Sequence, residues 1–503
     1  MKPIRYLVMM LLALMATAAR SQPEQRLLAP YVEGSSVYTV RDLARDISPS
    51  IGKVASAALS EQLRTAISAR YVQDGYVTPI VRIPAEDLSS ATPRVYIFEA
   101  KIVDIMIHGD AGPYRERIVA SLRSLRSLRS RALRKESLRQ MLLHINELPG
   151  ITARAIFQPQ TGMPNEFVVV LDTHYQAIGG EVDINNGGTS QLGNVLYAGT
   201  VVFNDLLGAG EQIQLRAATS SLSDRYQFED GRIQTAVAGA EVFAEAAHSE
   251  AVPDPNVHFG DRNATVGFDR PMAKLAAGTL SLVFWVHADD DEIHDGTKGH
   301  LTDDAIRSAA VGLEFSDPKS ASPFSLYSTV VHGAKVLGAQ SLDAADSEVR
   351  IAFTKYLVGL AQALSFGPQW QLHLNVDAQA SADVLPIVER FAFGGLGLGE
   401  AFDPASLVGD SGAAAAIELG HALPLMLNSL KAATVYAKAD YGVAWSNASY
   451  LPGRDQAASV SLGVLGRWPH TTVTVELSTP VLQPNYAPPA SPVRALATAA
   501  FTF

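Results

Sequence analysis

From about Gln176 onward the chain alternates apolar and polar residues with a period of two. The clearest run sets Trp370, Leu372, Leu374, Val376 and Ala378 on one face and Gln371, His373, Asn375, Asp377 and Gln379 on the other. Val435, Ala437, Ala439, Tyr441 and Val443 alternate in the same way with Thr434, Tyr436, Lys438, Asp440 and Gly442. So do Val473, Val475 and Leu477 with Thr472, Thr474 and Glu476. Strands with one wet face and one apolar face are predicted throughout this region.

Ahead of it the period changes. Leu59, Leu63, Ala66, Ile67 and Tyr71 recur at three- and four-residue spacing and predict a helix ending at Asp74-Gly75-Tyr76. Strand-like runs follow at Thr78 to Ile83, Arg94 to Phe98 and Lys101 to Ile107. A second set has helix patterns at Tyr114 to Leu125 and Ser137 to Ile145, a turn at Leu148-Pro149-Gly150, and strands at Ile151 to Gln158 and Glu166 to Asp172. The shared order, helix and then strand pair, suggests two tandem copies of one small α+β module.

Composition narrows the reading. The 503 residues are 47% hydrophobic and 18% charged, which suits a folded chain. After the first 20 positions no apolar run is long enough for a membrane helix, but alternating strands raise hydropathy only weakly, so a membrane β-barrel stays open. The chain contains no cysteine, which excludes disulfides, thiolate metal sites and a cysteine nucleophile. Lys2 and Arg5, an apolar stretch from Tyr6 to Met15, and small residues Ala16 to Ala19 predict an export signal over residues 1–21. The net charge of -11 argues against a nucleic-acid partner.

A soluble sandwich also alternates. The final strand Ala499-Ala500-Phe501-Thr502-Phe503, with Phe501 and Phe503 on one face, favours a barrel of the outer membrane. Roughly 330 residues at about 20 per strand and loop predict about 16 antiparallel strands. The expected fold is mainly β: a signal at 1–21, an N-terminal segment at 22–36, α+β modules at 37–100 and 101–175, and a transmembrane β-barrel at 176–503.

These features together resemble the outer-membrane transporters of two-partner secretion, the haemolysin-activator and filamentous-haemagglutinin-transporter family. Tyr71, Gly75-Tyr76 and Val81-Arg82 resemble that family's first polypeptide-transport-associated (POTRA) domain, and Leu148-Pro149-Gly150-Ile151 a turn of its second. Asp183 to Gly188 and Asn204 to Glu211 resemble its first barrel hairpins. Glu389 to Gly395 (with Gly394 and Gly395), then Gly399-Glu400-Ala401-Phe402-Asp403-Pro404, then Gly409-Asp410-Ser411-Gly412 resemble the loop that in the family folds back into the lumen.

One position departs from the pattern. Where the family's loop carries an arginine, this chain has Glu400, and the aspartate expected to pair with that arginine is Asp440. Two carboxylates there would repel. Lys438 lies two residues from Asp440 on one strand face, so it is expected to take Glu400 while balancing Asp440. Only Gln22 to Ser36 is available for the plug helix and linker that some members carry.

The resemblance implies that the two POTRA domains bind a large secreted exoprotein, such as an adhesin or cytolysin, while it is unfolded. It also implies passage of that partner through the barrel, outer-membrane lipid as surroundings, and insertion by the barrel assembly machinery. No cofactor and no enzyme activity are implied. The rivals are an outer-membrane protein insertase of the same superfamily, a passive porin-like channel, and an exported soluble β-rich enzyme.

Other clusters have plainer readings. The basic stretch from Arg115 to Arg139 is expected to be a solvated face. Asp289 to Asp295 is expected to be an extracellular loop, since its spacing does not match an EF-hand. His287, His294 and His300 lack metal-site spacing. No catalytic motif stands out.

Overall fold

The computed structural model describes residues 25–88, 90–126, 132–275, 278–297, 299–317, 322–342, 348–424, 429–449, 453–485 and 490–503. The export signal expected at 1–21 lies outside these residues, as does part of the basic stretch. The chain divides into two compact units, Met1–Gln176 and Ala177–Phe503.

The first unit contains two modules of identical topology. In the first, strand Tyr31–Glu33 runs parallel to Arg94–Phe98, and Ile80–Arg82 pairs antiparallel on that strand's other side. Helices Val40–Ile47 and Ala57–Gln73 cover the sheet. In the second, Lys101–Gly109 runs parallel to Glu166–Tyr175, which pairs antiparallel with Ile151–Pro159. Helices Arg115–Arg126 and Lys135–Ile145 sit between the first and second strands in sequence.

Local chemistry explains the helices. Thr39 and Asp42 form a reciprocal capping box, and Ser56 caps the longer helix through the amide of Leu59. The four-residue spacing of Leu59, Leu63, Ile67 and Tyr71 places all four in the core against Val95 and Ile97. The Tyr71 hydroxyl bonds Glu99 at 2.8 Å, and burial raises its pKa.

The sequence reading placed Tyr31–Glu33 in an N-terminal segment ahead of the first module. It is instead that module's leading strand, so the module starts before residue 37. A three-residue strand carries too little alternation to be recognised. Gly34 after it adopts φ +89, where a Cβ would come within 2.3 Å of the Ile97 carbonyl oxygen.

In the second unit sixteen antiparallel strands, from Ile178–Asn185 to Arg494–Thr502, close into one barrel. Closure is made by Asn185 to Glu181 pairing with Thr498 to Thr502. The Phe503 amide donates to the Gly180 carbonyl at 3.0 Å, and the Gly180 amide donates back to the Phe503 carbonyl at 3.1 Å.

Because directly opposed residues share a face, the register fixes which side chains point inward. From Lys438 the opposed positions run through Ser461, Ser478 and Arg494 in one direction and Glu418, His373 and Ala363 in the other. Their outward neighbours are apolar and exposed, among them Leu462 (68%), Leu477 (55%) and Ile417 (48%). An apolar belt around a polar interior defines a transmembrane barrel.

Asp289 to Asp295 was expected to be a loop. It is strand, the end of Gly278–Asp295, paired along its length with Val257–Leu275 and Gly299–Asp317. A strand needs about 9–11 residues to cross a bilayer, and these have 18 and 19 residues. Outward residues on Gly278–Asp295 stay apolar from Leu280 to Ala288, and then become Asp290 and Glu292, where the wall rises out of the belt.

Candidate functional site

The chain between strands Trp370–Ser381 and Ser411–Leu423 turns into the barrel. It forms a short hairpin, Phe391–Phe393 paired antiparallel with Leu407–Gly409. Gly394 and Gly399 make its tip possible. At φ +117, a Cβ on Gly394 would lie 2.4 Å from the Asp403 carbonyl oxygen, and at φ +80 one on Gly399 would lie 2.6 Å from the Phe393 ring.

The hairpin packs on a wall with almost no side chains. Phe391, Phe393, Ala401, Phe402 and Leu407 form an apolar cluster with Ala414, Ala444 and Ala457 of the barrel. A Cβ on Gly412 would meet Phe391 at 2.0 Å, and one on Gly442 would meet Phe393 at 2.6 Å. Each loop phenylalanine therefore sits where the wall is only backbone.

At the tip, Glu400 forms an ion pair with the Lys438 ammonium. The same nitrogen lies 3.4 Å from Asp440 and donates to the Gly397 carbonyl at 2.6 Å. Ser459 donates to Asp440 at 3.1 Å. Glu400, Lys438 and Asp440 are each more than nine-tenths buried. One lysine thus neutralises loop and wall together, and removing it would leave two carboxylates facing each other away from bulk water. Arg494 makes a second clamp: it donates to the Phe402 carbonyl, lies 3.3 Å from Asp403, and reaches the Gly187 and Gly188 carbonyls at 3.2 and 3.1 Å.

The base of the loop is fixed separately. Fully buried Asp410 accepts the Leu385 amide and the Asn447 amide, each at 2.7 Å. Lys355 pairs with Glu389 at 2.7 Å, and Gln379 donates to the Glu389 and Asp410 carbonyls at 2.9 and 3.0 Å.

The residues singled out from the sequence thus fall in two places. Gly394, Gly395, Gly399, Glu400, Ala401, Phe402, Asp403, Pro404, Gly409 and Asp410 lie in the loop, with Lys438, Asp440 and Gly442 on the wall beside it. Phe501 and Phe503 are elsewhere, outward and half-exposed, with ring centroids 6.5 Å apart. Sequence reasoning missed Lys355, Gln379, Arg494 and the bare wall. The signal for the last was present: inward positions Gly412, Ala414, Ala416, Gly442 and Ala444 are all small. Among the described residues no group of side chains is arranged to hold a metal, and His287 instead bonds Thr265 at 2.8 Å.

A closed barrel with an inward-folded loop, preceded in sequence by two α+β modules of one topology, defines a β-barrel protein of the outer membrane. Comparison with known proteins agrees. Residues 261–466 match the haemolysin secretion/activation protein ShlB/FhaC/HecB family, and residues 30–100 match the ShlB-type POTRA domain. The chain thus carries a domain of this secretion/activation family together with its type of POTRA domain.

A curated relative, the heme/hemopexin transporter protein HuxB of Haemophilus influenzae (strain 86-028NP), is 21% identical over 182 residues. That match covers 36% of this chain and only 32% of the relative's own length. CdiB from Escherichia coli has a similar structure, with TM-score 0.67, 17% identity, and coverage of 97% of this chain and 92% of that one. CdiB from Acinetobacter baumannii gives TM-score 0.59 at 12% identity, covering 96% and 90% of the two chains. BamA from Haemophilus ducreyi lacking POTRA domains 1-3 gives 0.52 at 11% identity, covering 95% and 99%.

Proposed function

We propose that the protein is a two-partner secretion translocator that takes a large unfolded exoprotein from the periplasm and passes it through its barrel to the cell surface. The observation that carries this reading is the lumen's own occupant, a loop held by a buried Glu400–Lys438–Asp440 triad. A constriction alone would suit a size filter as well, but a loop packed and charge-clamped against the wall suits a polypeptide conduit, which needs a barrier that yields only to its substrate.

The modules supply a capture surface. Ile80–Arg82 is a sheet edge, and beside it a groove of about 650 Å³ is lined by Arg64, Ser68, Val72 and Val81. An extended chain can add to such an edge through backbone hydrogen bonds, with side chains in the groove, and so bind with little demand on sequence. With no nucleotide in the periplasm, folding of the partner outside would give direction by preventing return. The exposed aromatics Phe501 and Phe503 on the closing strand suit recognition by the barrel assembly machinery and contact with lipid.

The test is co-expression with a candidate large exported protein, chosen as one encoded beside this chain. The partner should reach the medium with the native chain and stay in the periplasm with the modules deleted. Export that persists without the modules would reject the capture step, and no export with the intact chain would reject the partner assignment.

A further inference from the structure

The wall formed by Val257–Leu275, Gly278–Asp295 and Gly299–Asp317 has a different interior. Asp291 stands directly opposite Asp261 on one neighbour and Asp304 on the other, and all three face the lumen with Asp289 one step along. Asp289, Asp291 and Asp304 are more than nine-tenths buried. Asp291 Oδ2 has no hydrogen-bond partner among the described residues, and neither does Asp289 Oδ1. No lysine or arginine occupies an inward position from Phe259 to Gly267, from Trp285 to Ile293 or from Thr302 to Ala310. Arg262 and Arg307 lie on these strands but at outward positions, and Arg307 pairs with outward Asp290 at 2.8 Å.

Space remains beside this wall. A cavity of about 240 Å³ separates Thr265, Trp285, His287 and Asp289 from Val388 and Glu389 of the loop, and a second of about 620 Å³ is bordered by Asp291 and Asp304 together with Arg262, Asp290, Glu292 and His294. Glu389 is already neutralised by Lys355, the His287 ring lies 3.5 Å from the Asp289 carboxylate, and the Arg307 guanidinium donates to the Asp289 main-chain carbonyl at 2.9 Å while its charge is paired with outward Asp290. Carboxylates crowded in a restricted, partly desolvated space lower the potential there and attract mobile counter-ions. Among the described residues no three groups converge closely enough to ligate one bare metal ion, so the occupant keeps its hydration shell.

We propose that Asp261, Asp289, Asp291 and Asp304 form a station for hydrated cations, and that this station makes the residual path through the barrel cation-selective. A ring or stripe of fixed carboxylates favours cations over anions in this way in other pores. The inference stands on the wall alone and holds whether or not the barrel exports a polypeptide.

The test uses the purified full-length protein in planar bilayers under a KCl gradient, with the reversal potential giving the ratio of K⁺ to Cl⁻ permeability. The native ratio should lie well above one. D261N/D289N/D291N/D304N, whose side chains keep their shape, should lower it by about threefold or more. D289N/D291N should lower it part of the way and serves if the fourfold variant does not insert. E229Q, at an outward, exposed position on strand Tyr226–Val237, should leave it unchanged. A native ratio at or below one, or a ratio that neither Asp→Asn variant on the wall changes, would overturn the proposal.

Discussion

Two walls of the same barrel obey the same alternation and do opposite things with it. Ser411–Leu423, Ala432–Trp445 and Asp455–Arg467 turn glycine, alanine and serine inward with Lys438 among the acids Glu418 and Asp440, and the loop packs there. Val257–Leu275, Gly278–Asp295 and Gly299–Asp317 turn aspartates inward, and there a cavity remains. Period two settles only which residues face the lumen. Side-chain volume and the sign of charge at those positions settle whether a wall grips the loop or leaves a passage.

The sharpest way to break the gripping wall is Lys438→Ala. It leaves Glu400 and Asp440 buried without their cation, a change that costs about 3–5 kcal/mol in comparable buried pairs. We expect the loop to leave the lumen, single-channel conductance to rise, and partner secretion to fall steeply. The exchange Glu400→Lys with Lys438→Glu should recover part of the loss, because the pair is re-formed although Asp440 then meets a second acid. If Lys438→Ala leaves conductance and heat stability at native values, the triad does not hold the loop.

Next in size is Gly442→Val. Its Cβ would fall 2.6 Å from the Phe393 ring, so the hairpin must shift or the strand must bend. Overpacking of this kind costs about 1–3 kcal/mol. The expected result is a lower temperature for the gel shift that marks barrel unfolding, together with faster protease cleavage within residues 394–406. Unchanged cleavage would show that the loop does not depend on this contact.

That contact also shows how much the sequence discloses. The barrel was legible because alternation over ten or more residues survives without neighbours; Glu400 was set beside Asp440 only through the family resemblance, and the two-residue strand spacing added Lys438 to the face of Asp440. Lys355 and Arg494 were not legible, since their partners Glu389 and Phe402 come from a loop whose path no periodicity encodes. Tyr31–Glu33 failed for the opposite reason, being too short for any period. The acidic run reads as a loop by its polar density alone, whereas its alternate residues Asp289, Asp291 and Ile293 mark one face of a strand.

Arg494→Gln should have a smaller effect than either change at the triad. It removes the charge facing Asp403 and the bonds to the Phe402, Gly187 and Gly188 carbonyls, but leaves Glu400 on Lys438. Lost charge-assisted bonds of this kind amount to about 1–3 kcal/mol. The measurable consequence should be a modest rise in open probability with secretion largely kept. A loss as large as that of Lys438→Ala would mean that Arg494, not the triad, is the main clamp.

The smallest effect should come from the other wall, and its sign is the informative part. Taking one charge away at Lys438 strips a balance, whereas Asp289→Asn removes one of several carboxylates that face the lumen on neighbouring strands. Relief of their repulsion should leave the barrel equally stable or raise its heat stability slightly, by under about 1 kcal/mol. Loop protection from protease should not change, because none of the loop's clamps involves this residue. A clear destabilisation by Asp289→Asn would mean that the acidic wall is a scaffold whose charge is neutralised from within, and the contrast between a gripping wall and an open one would fail.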